Sequence, residues 1–455
     1  MTSHNLRCFK AYDIRGRVPD ELSPELAADI GRALAAELGA RRMVVGRDIR
    51  LSGVALCEAL TQGLREAGSD VTDIGVCGTE EIYHATFSQG FDGGVIVTAS
   101  HNPMDYNGMK FVRKNAAPVS GDSGLFAVRG RIASGNLPRS RHMGTLAFAS
   151  FRGEYIRHLL GYVDVASLSP LYILADPGHG CAGPVLQELA NHLPFRFSFI
   201  REVPDGTFPT GIPNPLLPEN RSLTMAAVKD SKADMGIAWD GDFDRCFFYD
   251  ASGSFIEGYY IVGLLAQSIL RKNNGAKIIH DPRLIWNTVE LARAAGGIPI
   301  ESKTGHAFIK ERMRAEDAVY GGEMSAHHYF KNFAYCDSGM IPWLLVAELI
   351  GKSGKSLAEL VKERMERFPC SGEINRKVSD SAAAVAAVKE AFGKGGTESR
   401  VDGLSVSFAD WRFNLRASNT EPLLRLNVES RGDKTLMEEK TAAILKSLDP
   451  FVVGQ

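Results

Sequence analysis

The stretch GVIVTASHNPMDYNGMK, residues 94–110, places a short apolar run directly before a polar cluster. The run at residues 94–97 is too short for a typical helix, so it predicts a buried strand. Ser100 and His101 follow the strand, and the Asn-Pro pair after them indicates a turn. A hydroxyl and an imidazole side by side at a strand end raise the question of which chemistry they serve.

Three further apolar runs stop at polar or glycine-rich clusters in the same way. They are residues 172–175 before Asp-Pro-Gly-His-Gly, 235–239 before Asp-Gly-Asp-Phe-Asp, and 276–279 before His-Asp-Pro-Arg. Apolar residues recur at helical spacing in residues 22–38 and 52–67, with Ser52 available as a cap. Strands alternating with helices predict mainly parallel sheets, whose ligands bind beyond the carboxyl ends of the strands.

The length of 455 residues exceeds one ordinary hydrophobic core and predicts two to four domains. With 52 basic and 54 acidic side chains, the chain has no general attraction for nucleic acid or an anionic membrane. Seven scattered cysteines without a CxxC spacing disfavour a disulfide framework or zinc site and favour a reducing compartment. We find no signal-peptide pattern and no apolar stretch of membrane-spanning length, so we expect a cytoplasmic protein.

The C-terminal part of the chain differs from the rest. Residues 134–138 predict a linker, and residues 250–254 predict a turn that could close a second domain. Beyond about residue 367, the chain shows three alternating strand patterns at residues 404–408, 411–415 and 423–428. A helical pattern follows from about Lys434, so this part predicts an α+β domain with an antiparallel sheet.

The acidic cluster Asp-Gly-Asp-Phe-Asp-Arg begins at Asp240. Its carboxylates at Asp240, Asp242 and Asp244 would point to one side of an extended loop, where like charges repel unless a cation lies between them. Mg²⁺ or Ca²⁺ suits such oxygen ligands, but an EF-hand would need glycine at Arg245 and glutamate at Ala251. A solvated acidic turn is the alternative, and the buried strand before the loop favours the metal.

Ser100 lacks the GxSxG context of an acyl-transfer nucleophile. Adjacent side chains of an extended chain point in opposite directions, so His101 is poorly placed as the base for this serine. A serine nucleophile for phosphoryl transfer fits better, because that chemistry depends mostly on positioning and charge neutralisation. Lys110 could supply positive charge or a proton. The alternative is that Ser100 only caps a helix or turn.

Arg416 precedes Ala-Ser-Asn-Thr-Glu-Pro, which places a guanidinium before three short hydrogen-bonding side chains. An arginine fork with hydroxyls and backbone amides at a turn suits a phosphate. Ser-Asn-Thr before Glu-Pro is also ordinary turn chemistry, so both interpretations stay open. Arg15 and Arg283 are further single cations near turns, and each taken alone indicates a surface residue.

The segment Gly-Gly-Glu-Met-Ser-Ala-His-His occupies residues 321–328. Glu323 and Ser325 stand at alternate positions and could both face the hydroxyls of a ligand, while the glycines permit close approach. His327 and His328 suggest a metal only weakly, because no second cluster stands at zinc spacing. One histidine lining a site is the simpler interpretation.

Taken in order, four motifs closely resemble those of the α-D-phosphohexomutases, and most closely the bacterial phosphomannomutase/phosphoglucomutase group. The motifs are Thr98-Ala-Ser-His-Asn-Pro, Asp240-Gly-Asp-Phe-Asp-Arg, Gly322-Glu-Met-Ser and Arg416-Ala-Ser-Asn-Thr. The resemblance covers essentially the whole chain, from Lys10-Ala-Tyr-Asp-Ile-Arg-Gly onwards. Met324 resembles the mannose or dual mannose/glucose enzymes rather than the glucosamine branch, which usually has glutamine there.

This resemblance implies an α/β fold of three similar α/β/α domains with mixed, largely parallel sheets. A smaller C-terminal α+β domain completes it, and the four domains surround a central cleft. In chain order, the domains are expected to supply a phosphoserine loop, a metal-binding loop, a sugar-binding loop and a phosphate-binding loop. The corresponding ranges are residues 1–138, 139–252, 253–367 and 368–455.

The resemblance also implies the site residues. The catalytic group is Ser100, His101, Lys110, Arg245 and His327, with His101 and Lys110 as the expected proton handlers. The metal ligands are Asp240, Asp242, Asp244 and an oxygen on phosphorylated Ser100. The substrate-binding group is Tyr12, Arg15, Arg283, His306, Glu323, Ser325, Arg416, Ser418, Asn419 and Thr420. Arg283 stands where we expect lysine in some relatives, which keeps the charge but not the geometry.

The implied reaction interconverts mannose 1-phosphate and mannose 6-phosphate through a phosphoserine and a hexose 1,6-bisphosphate. Mg²⁺ is the implied metal, hexose 1,6-bisphosphate is activator and intermediate, and hexose phosphates are the substrates. We expect a monomer or weak homodimer. The family suggests a role in the supply of GDP-mannose.

Three alternatives stay open. A glucose-preferring or dual-specificity phosphoglucomutase would use the same residues, because no residue that we can identify reads the hydroxyl at C2. An aspartyl-phosphate phosphatase with Asp240 as nucleophile would leave the third carboxylate and the Ser-His-Asn-Pro loop unexplained. A sugar-phosphate-binding protein without turnover would keep the cleft, although nothing in the sequence indicates lost activity.

Overall fold

The computed structural model describes residues 4–417 and 423–453. The chain divides into two compact units, Met1–Phe255 with His327–Gly354, and Ile256–Ala326 with Lys355–Gln455. Among the described residues, every helix is too short or too polar to cross a lipid bilayer.

The first sheet contains seven strands and is accompanied by four helices. The strands are β1 Ile14–Arg17, β2 Arg42–Arg47, β3 Asp70–Val76, β4 Gly93–Val97, β5 Tyr106–Arg113, β6 Ala117–Pro118 and β7 Leu146–Phe148. The helices are α1 Pro24–Leu38, α2 Gly53–Glu66, α3 Thr79–Ser88 and α4 Phe126–Ser134. The strand order is β1-β5-β4-β2-β3-β7, with β6 beside β5. Strand β5 pairs antiparallel with β1 and β4, whereas β4, β2, β3 and β7 pair in parallel, so the sheet is mixed.

Local sequence signals explain several of these elements. Helix α1 begins after Ser23, whose side chain accepts a hydrogen bond from the Leu26 amide, and it ends at Gly39 with φ 58°. Strand β4 is buried along its whole length, as expected for an interior strand. Ser52 precedes α2 but makes no capping bond, because its Oγ instead accepts a hydrogen bond from Asn107 Nδ2 at 2.9 Å.

The second sheet has the strand order β12-β11-β10-β8-β9. Its strands are β8 Tyr172–Asp176, β9 Arg196–Phe199, β10 Met235–Trp239, β11 Cys246–Asp250 and β12 Phe255–Ile256. The helices of this region are α5 Arg152–Leu160, α6 Ala182–Ala190 and α7 Ser222–Ser231. Strand β8 pairs in parallel with β9 and β10, and β11 returns antiparallel to β10. The turn between β10 and β11 carries the acidic cluster.

The following region continues the alternation of strands and helices. Its elements are α8 Gly258–Lys272, β13 Lys277–His280, α9 Trp286–Ala294, β14 Ile298–Glu301, α10 His306–Glu316 and β15 Tyr320–Gly322. Strand β13 pairs in parallel with both β14 and β15. The next segment belongs to the other compact unit and contains β16 His328–Phe330, β17 Cys336–Asp337 and α11 Ile341–Ser353. Strands β16 and β17 pair antiparallel.

The C-terminal sheet is entirely antiparallel in the order β18-β22-β21-β20-β19. Its strands are β18 Ile374–Lys377, β19 Thr397–Ser399, β20 Leu404–Ser407, β21 Trp411–Ala417 and β22 Leu423–Ser430. The accompanying helices are α12 Leu357–Arg367, α13 Ser381–Phe392 and α14 Lys434–Leu448. Mixed α/β sheets followed by this antiparallel α+β sheet confirm the predicted fold class.

Helices α1 and α2 pack against each other with their backbones in close approach. A Cβ atom added at Gly63 would lie 1.9 Å from the carbonyl oxygen of Ala28, and one added at Gly31 would lie 2.4 Å from that of Leu60. Both distances are far below van der Waals contact, so glycine is required at the crossing. The pair covers a core that includes Val45 of the first sheet.

We predict that Gly63→Ala lowers the free energy of unfolding, although alanine is the better helix former. Steric overlap at the crossing should destabilise the protein by about 1–3 kcal/mol. Gly130→Ala is the matched control, because Gly130 lies inside α4 and an added Cβ there would meet nothing within 4 Å. The control should be stabilised by about 0.5–1 kcal/mol. Urea unfolding midpoints test both changes, and equal shifts of the same sign would contradict the packing described.

Candidate active site

Ser100 lies in a tight loop after β4 and has a left-handed backbone conformation, with φ 48°. Its amide donates to Thr98 Oγ1 at 2.9 Å, and Thr98 Oγ1 donates to Asp48 Oδ2 at 2.6 Å. The Arg50 guanidinium donates to the carbonyl oxygens of Ser100 at 2.8 Å and of Asn102 at 2.6 Å. These bonds hold a conformation that is unfavourable for a residue with a side chain, as is common at functional sites.

The left-handed backbone also changes the relation between Ser100 and His101. Because the chain is not extended there, Ser100 Oγ lies 3.0 Å from His101 Nδ1, and the expectation that the two side chains diverge was wrong. Burial lowers the pKa of His101 well below 6.5, and the charges of Arg245 and Arg15 lower it further. His101 is therefore a neutral imidazole at pH 7. No helix begins after Ser100, since the next element is β5, which removes the helix-capping alternative.

Asp240, Asp242 and Asp244 are fully buried in the turn after β10. The turn is not the extended loop that the sequence predicted, because Phe243 has a left-handed backbone with φ 46°. One oxygen atom of each carboxylate nevertheless lies within 4.8 Å of the others. The Oδ1 atom of each aspartate has no hydrogen-bond partner among the residues that the structure describes. Three carboxylates that approach one another this closely, each with an oxygen free to bind, fit the ligand set of a hard divalent cation.

The charges around these carboxylates are unequal. Burial, followed by the charges of Asp244 and Asp242, raises the pKa of Asp240 to about 7. Burial also opposes ionisation of Asp242, but the Lys110 charge and the Thr79 hydroxyl outweigh it and hold the pKa of Asp242 low. Lys110 Nζ donates to Asp242 Oδ2 at 2.7 Å and to Asp244 Oδ2 at 2.5 Å. Lys110 therefore acts as a fixed counter-ion beneath the acidic turn.

The serine loop and the acidic turn are joined by a direct hydrogen bond. Ser100 Oγ donates to Asp240 Oδ2 at 2.7 Å. The approach depends on Gly241, where an added Cβ would lie 2.7 Å from the Ser100 carbonyl oxygen. The structure thus brings together the nucleophile and the metal ligands that the sequence predicted separately.

Arg245 and His327 lie on the same side of this cluster. Arg245 Nε donates to His327 Nε2 at 3.0 Å and lies 3.5 Å from Asp240 Oδ2. Because arginine stays protonated, His327 must accept at Nε2 and carry its proton on Nδ1, which lies 3.0 Å from Asp337 Oδ2. His328 is buried in the core, where burial lowers its pKa to about 3. Only one histidine of the pair belongs to the site.

Arg15 contacts the serine loop and is not a simple surface residue. Its Nη1 donates to the Ala99 carbonyl oxygen at 2.5 Å and to Asn102 Oδ1 at 2.6 Å. Its Nε donates to Asp13 Oδ2 at 2.9 Å, which orients the guanidinium. Tyr12 precedes this pair and is half-buried.

The other compact unit contains a second group of predicted residues. Arg283 is 1% exposed, and its Nη2 donates to Ser325 Oγ at 3.1 Å and lies 3.6 Å from Glu323 Oε1. Glu323 Oε1 also accepts a hydrogen bond from the Gly305 amide at 3.0 Å. His306 is the first residue of α10, directly after that glycine. Arg283 is therefore also buried rather than at the surface.

Glu373 connects three arginines in this unit. Its carboxylate accepts a hydrogen bond from Arg283 Nη1 at 3.0 Å and lies 3.7 Å from Arg416 Nη2 and 3.7 Å from Arg425 Nε. Burial opposes its ionisation, but these three charges outweigh burial and lower the pKa of Glu373 to about 2. Arg416 also lies 3.8 Å from Asp402. The remaining residues of the predicted phosphate loop, Ser418, Asn419 and Thr420, lie outside the described residues.

Sequence reasoning missed several residues that support the site. Asp48 and Arg50 follow β2, so the pattern of a polar cluster after an apolar strand was available to find them. Asp337 and Glu373 carry no local signal, because each meets its partners only through the folded chain. Their roles follow from burial and from the ion pairs described above.

We predict that Glu373→Gln lowers the free energy of unfolding by about 3 kcal/mol at pH 7, the equivalent of the pKa shift. A depressed carboxyl pKa stabilises the fold above the unfolded pKa, and this stabilisation is lost as the pH falls towards 2. The difference between wild type and variant should therefore narrow below about pH 4.5. Urea midpoints between pH 7 and pH 3 test this, with the exposed Glu363→Gln as control. A constant difference across that range would disprove the assignment.

Comparison with known protein families accounts for nearly the whole chain. Four models described as phosphoglucomutase/phosphomannomutase domains match it in order. Alpha/beta/alpha domain I matches residues 6–135, domain II residues 153–253, domain III residues 257–368, and the C-terminal domain residues 373–446.

Individual relatives agree with these matches. The chain is 60% identical over 440 residues to "Phosphohexose mutases" of Xanthomonas campestris pv. campestris, covering 96% of this chain and 98% of the relative. It is 59% identical over 452 residues to a phosphomannomutase of Salmonella typhimurium, covering 98% and 99%. A crystal structure of a phosphoglucomutase/phosphomannomutase family protein from Burkholderia thailandensis superposes with a TM-score of 0.88 at 31% identity, covering 98% of both chains. The resemblance noted from the sequence is therefore confirmed, and the chain belongs to the phosphoglucomutase/phosphomannomutase family.

Proposed function

We propose that this protein is a phosphomannomutase that interconverts mannose 1-phosphate and mannose 6-phosphate. The observation that carries the proposal is the hydrogen bond between Ser100 Oγ and Asp240 within a group of three buried carboxylates. A hydroxyl held beside a set of metal ligands is suited to receive and donate a phosphoryl group. Relatives at 59% identity that are named phosphomannomutase support the same reaction.

In the proposed cycle, phosphorylated Ser100 transfers its phosphoryl group to the free hydroxyl of a hexose phosphate. The bond between phosphorus and Ser100 Oγ breaks and a bond to the sugar oxygen forms, while the sugar hydroxyl loses its proton and Ser100 Oγ takes one up. The product is a hexose 1,6-bisphosphate. This intermediate turns in the site and returns its other phosphoryl group to the serine. His101 is the proposed proton handler for Ser100 Oγ, because it is neutral and its Nδ1 lies 3.0 Å away.

The acidic turn supplies the proposed metal site. Asp240, Asp242 and Asp244 would hold Mg²⁺ together with an oxygen of phosphorylated Ser100, and the ion would neutralise charge on the transferring group. Lys110 donates hydrogen bonds to Asp242 and Asp244 and so places a positive charge beside both carboxylates. We propose that His327 orients Arg245 beside Asp240.

The substrate-binding roles remain proposals as well. Glu323 and Ser325 are proposed to bind the sugar hydroxyls, and Arg283 holds Ser325 in place. The phosphate that is not transferred is assigned to Arg416, Ser418, Asn419 and Thr420. Further contacts with the substrate are assigned to Tyr12, Arg15, Arg283 and His306. Hexose 1,6-bisphosphate is the proposed activator, since it rephosphorylates Ser100.

We propose that the chain forms four domains, which carry the phosphoserine loop, the metal-binding loop, the sugar-binding loop and the phosphate-binding loop. Their ranges are residues 1–138, 139–252, 253–367 and 368–455. The proposal also includes a cytoplasmic location, which the odd number of scattered cysteines favours. A monomer or weak homodimer is the proposed oligomeric state.

A dual-specificity mutase acting on mannose and glucose phosphates is the second candidate. The observation that favours it is the 60% identity to relatives named more broadly as phosphohexose mutases. The two functions share every residue assigned above, so relative rates on the two sugars decide between them.

A ³¹P NMR assay of mannose 1-phosphate and glucose 1-phosphate, each with catalytic glucose 1,6-bisphosphate and Mg²⁺, tests the proposal. We predict conversion to the 6-phosphate, with mannose preferred, and on the order of a 10⁴-fold loss in Ser100→Ala. Chelation of the metal should stop the reaction and added Mg²⁺ should restore it. Ser134→Ala, an exposed serine of α4, is the control and should be unchanged. Release of inorganic phosphate, or full activity of Ser100→Ala, would refute the mutase.

A further inference from the structure

A cavity of about 520 Å³ lies in the unit that contains Ser100. Its volume falls in the range of small-molecule sites, which is about 300–1,000 Å³. Neither Ser100 nor any residue of the acidic turn lines it. The cavity is therefore separate from the proposed substrate and metal sites.

One wall of this cavity is apolar and exposed. Leu51, Val54 and Val76 line it and are 68%, 47% and 42% exposed, and Pro184 and Pro204 line it as well. Single exposed aliphatic residues are ordinary, but several around one concave surface indicate a binding site. This wall suits the apolar body of a ligand.

The cavity is also cationic at one end. Arg47, at the end of β2, makes no side-chain hydrogen bond or ion pair with any residue that the structure describes. Arg152 donates through Nε and Nη2 to Glu81, at 2.9 and 3.4 Å, so Glu81 balances its charge. The nearby carboxylate of Asp48 pairs with Arg50, whose Nε lies 3.5 Å from Asp48 Oδ2. Among the residues that the structure describes, the Arg47 charge therefore has no counter-ion of its own in this cavity.

We infer that this cavity binds a small organic anion in which a phosphate or carboxylate group is joined to an apolar ring or chain. The anionic group would pair with the Arg47 guanidinium, a fork that matches both groups in bidentate geometry. The apolar part would lie against Leu51, Val54 and Val76. A hexose phosphate fits poorly, because its hydroxyls would face apolar side chains without hydrogen-bond partners.

The wall of the cavity is hydrogen-bonded to the loop that carries Ser100. A ligand in the cavity would therefore act on that loop, which is the regulatory role that we assign to it. Arg50 lines the cavity and donates to the carbonyl oxygens of Ser100, Asn102, Pro103 and Tyr106, at 2.6 to 2.9 Å. A ligand that stiffens the segment between β2 and α2 therefore also stiffens the loop that carries Ser100. Coupling of this kind needs no large conformational change.

Isothermal titration calorimetry with 1-naphthyl phosphate as the probe tests the binding site. We expect Arg47→Gln and Leu51→Ser each to weaken binding about tenfold, the effect of losing one charged or apolar contact. The controls are Arg141→Gln and Leu223→Ser, exposed residues outside the cavity, which should bind as wild type does. Inorganic phosphate and 1-naphthalenemethanol, each carrying half of the probe, should bind at least about tenfold more weakly. Equal affinity of Arg47→Gln and wild type would overturn the inference.

Two further measurements locate the site and its coupling. The probe affinity in the presence of saturating glucose 1,6-bisphosphate should stay within about twofold of its value without the bisphosphate. Competition between the two would place the probe in the substrate site and overturn the inference. Hydrogen exchange of peptides covering residues 98–106 should slow when the probe binds wild type but not Arg47→Gln. Unchanged exchange in wild type would overturn the regulatory coupling. All of these readouts are independent of mutase activity, so they can fail or succeed without the proposed function.

Discussion

The bond between Ser100 Oγ and Asp240 Oδ2 joins the two loops on which the site depends. It places a nucleophile against three buried carboxylates whose mutual repulsion is partly offset by Lys110, which donates to Asp242 and Asp244, and by Arg245, which lies 3.5 Å from Asp240. Burial, followed by the charges of Asp244 and Asp242, raises the pKa of Asp240 to about 7. Three buried carboxylates grouped in this way are the kind of oxygen-ligand set that a divalent ion suits.

The fold brings the serine loop and the acidic turn together because each of them follows the end of a buried strand. Strand β4 ends before Ser100 and β10 ends before Asp240, so each functional loop is fixed by a fully buried strand. Local backbone conformation then completes the geometry. Ser100 and Phe243 both have positive φ angles, and Gly241 has no side chain to separate the loops. The supporting bonds from Arg50 and Asp48 allow the serine loop to keep its strained conformation.

Much of this organisation could be predicted from the sequence, because strand ends and clustered carboxylates leave local signals. The α/β alternation, the antiparallel C-terminal sheet and the choice of Ser100 all rest on such signals. The short distance between the His101 and Ser100 side chains could not be predicted, because it depends on the left-handed backbone of Ser100, which the sequence pattern does not indicate. The partners of buried polar side chains, such as Asp337 beside His327 and Glu373 for Arg283, were also missed because only the folded chain brings them together. Arg15 and Arg283 looked like surface cations for the same reason.

The most direct test of the account is phosphopeptide mapping after incubation with glucose 1,6-bisphosphate and Mg²⁺. The account predicts one phosphoryl group per chain, on the peptide that contains Ser100, and its exchange with added hexose phosphate. Phosphate on Asp240, or none on a correctly folded protein, would contradict it.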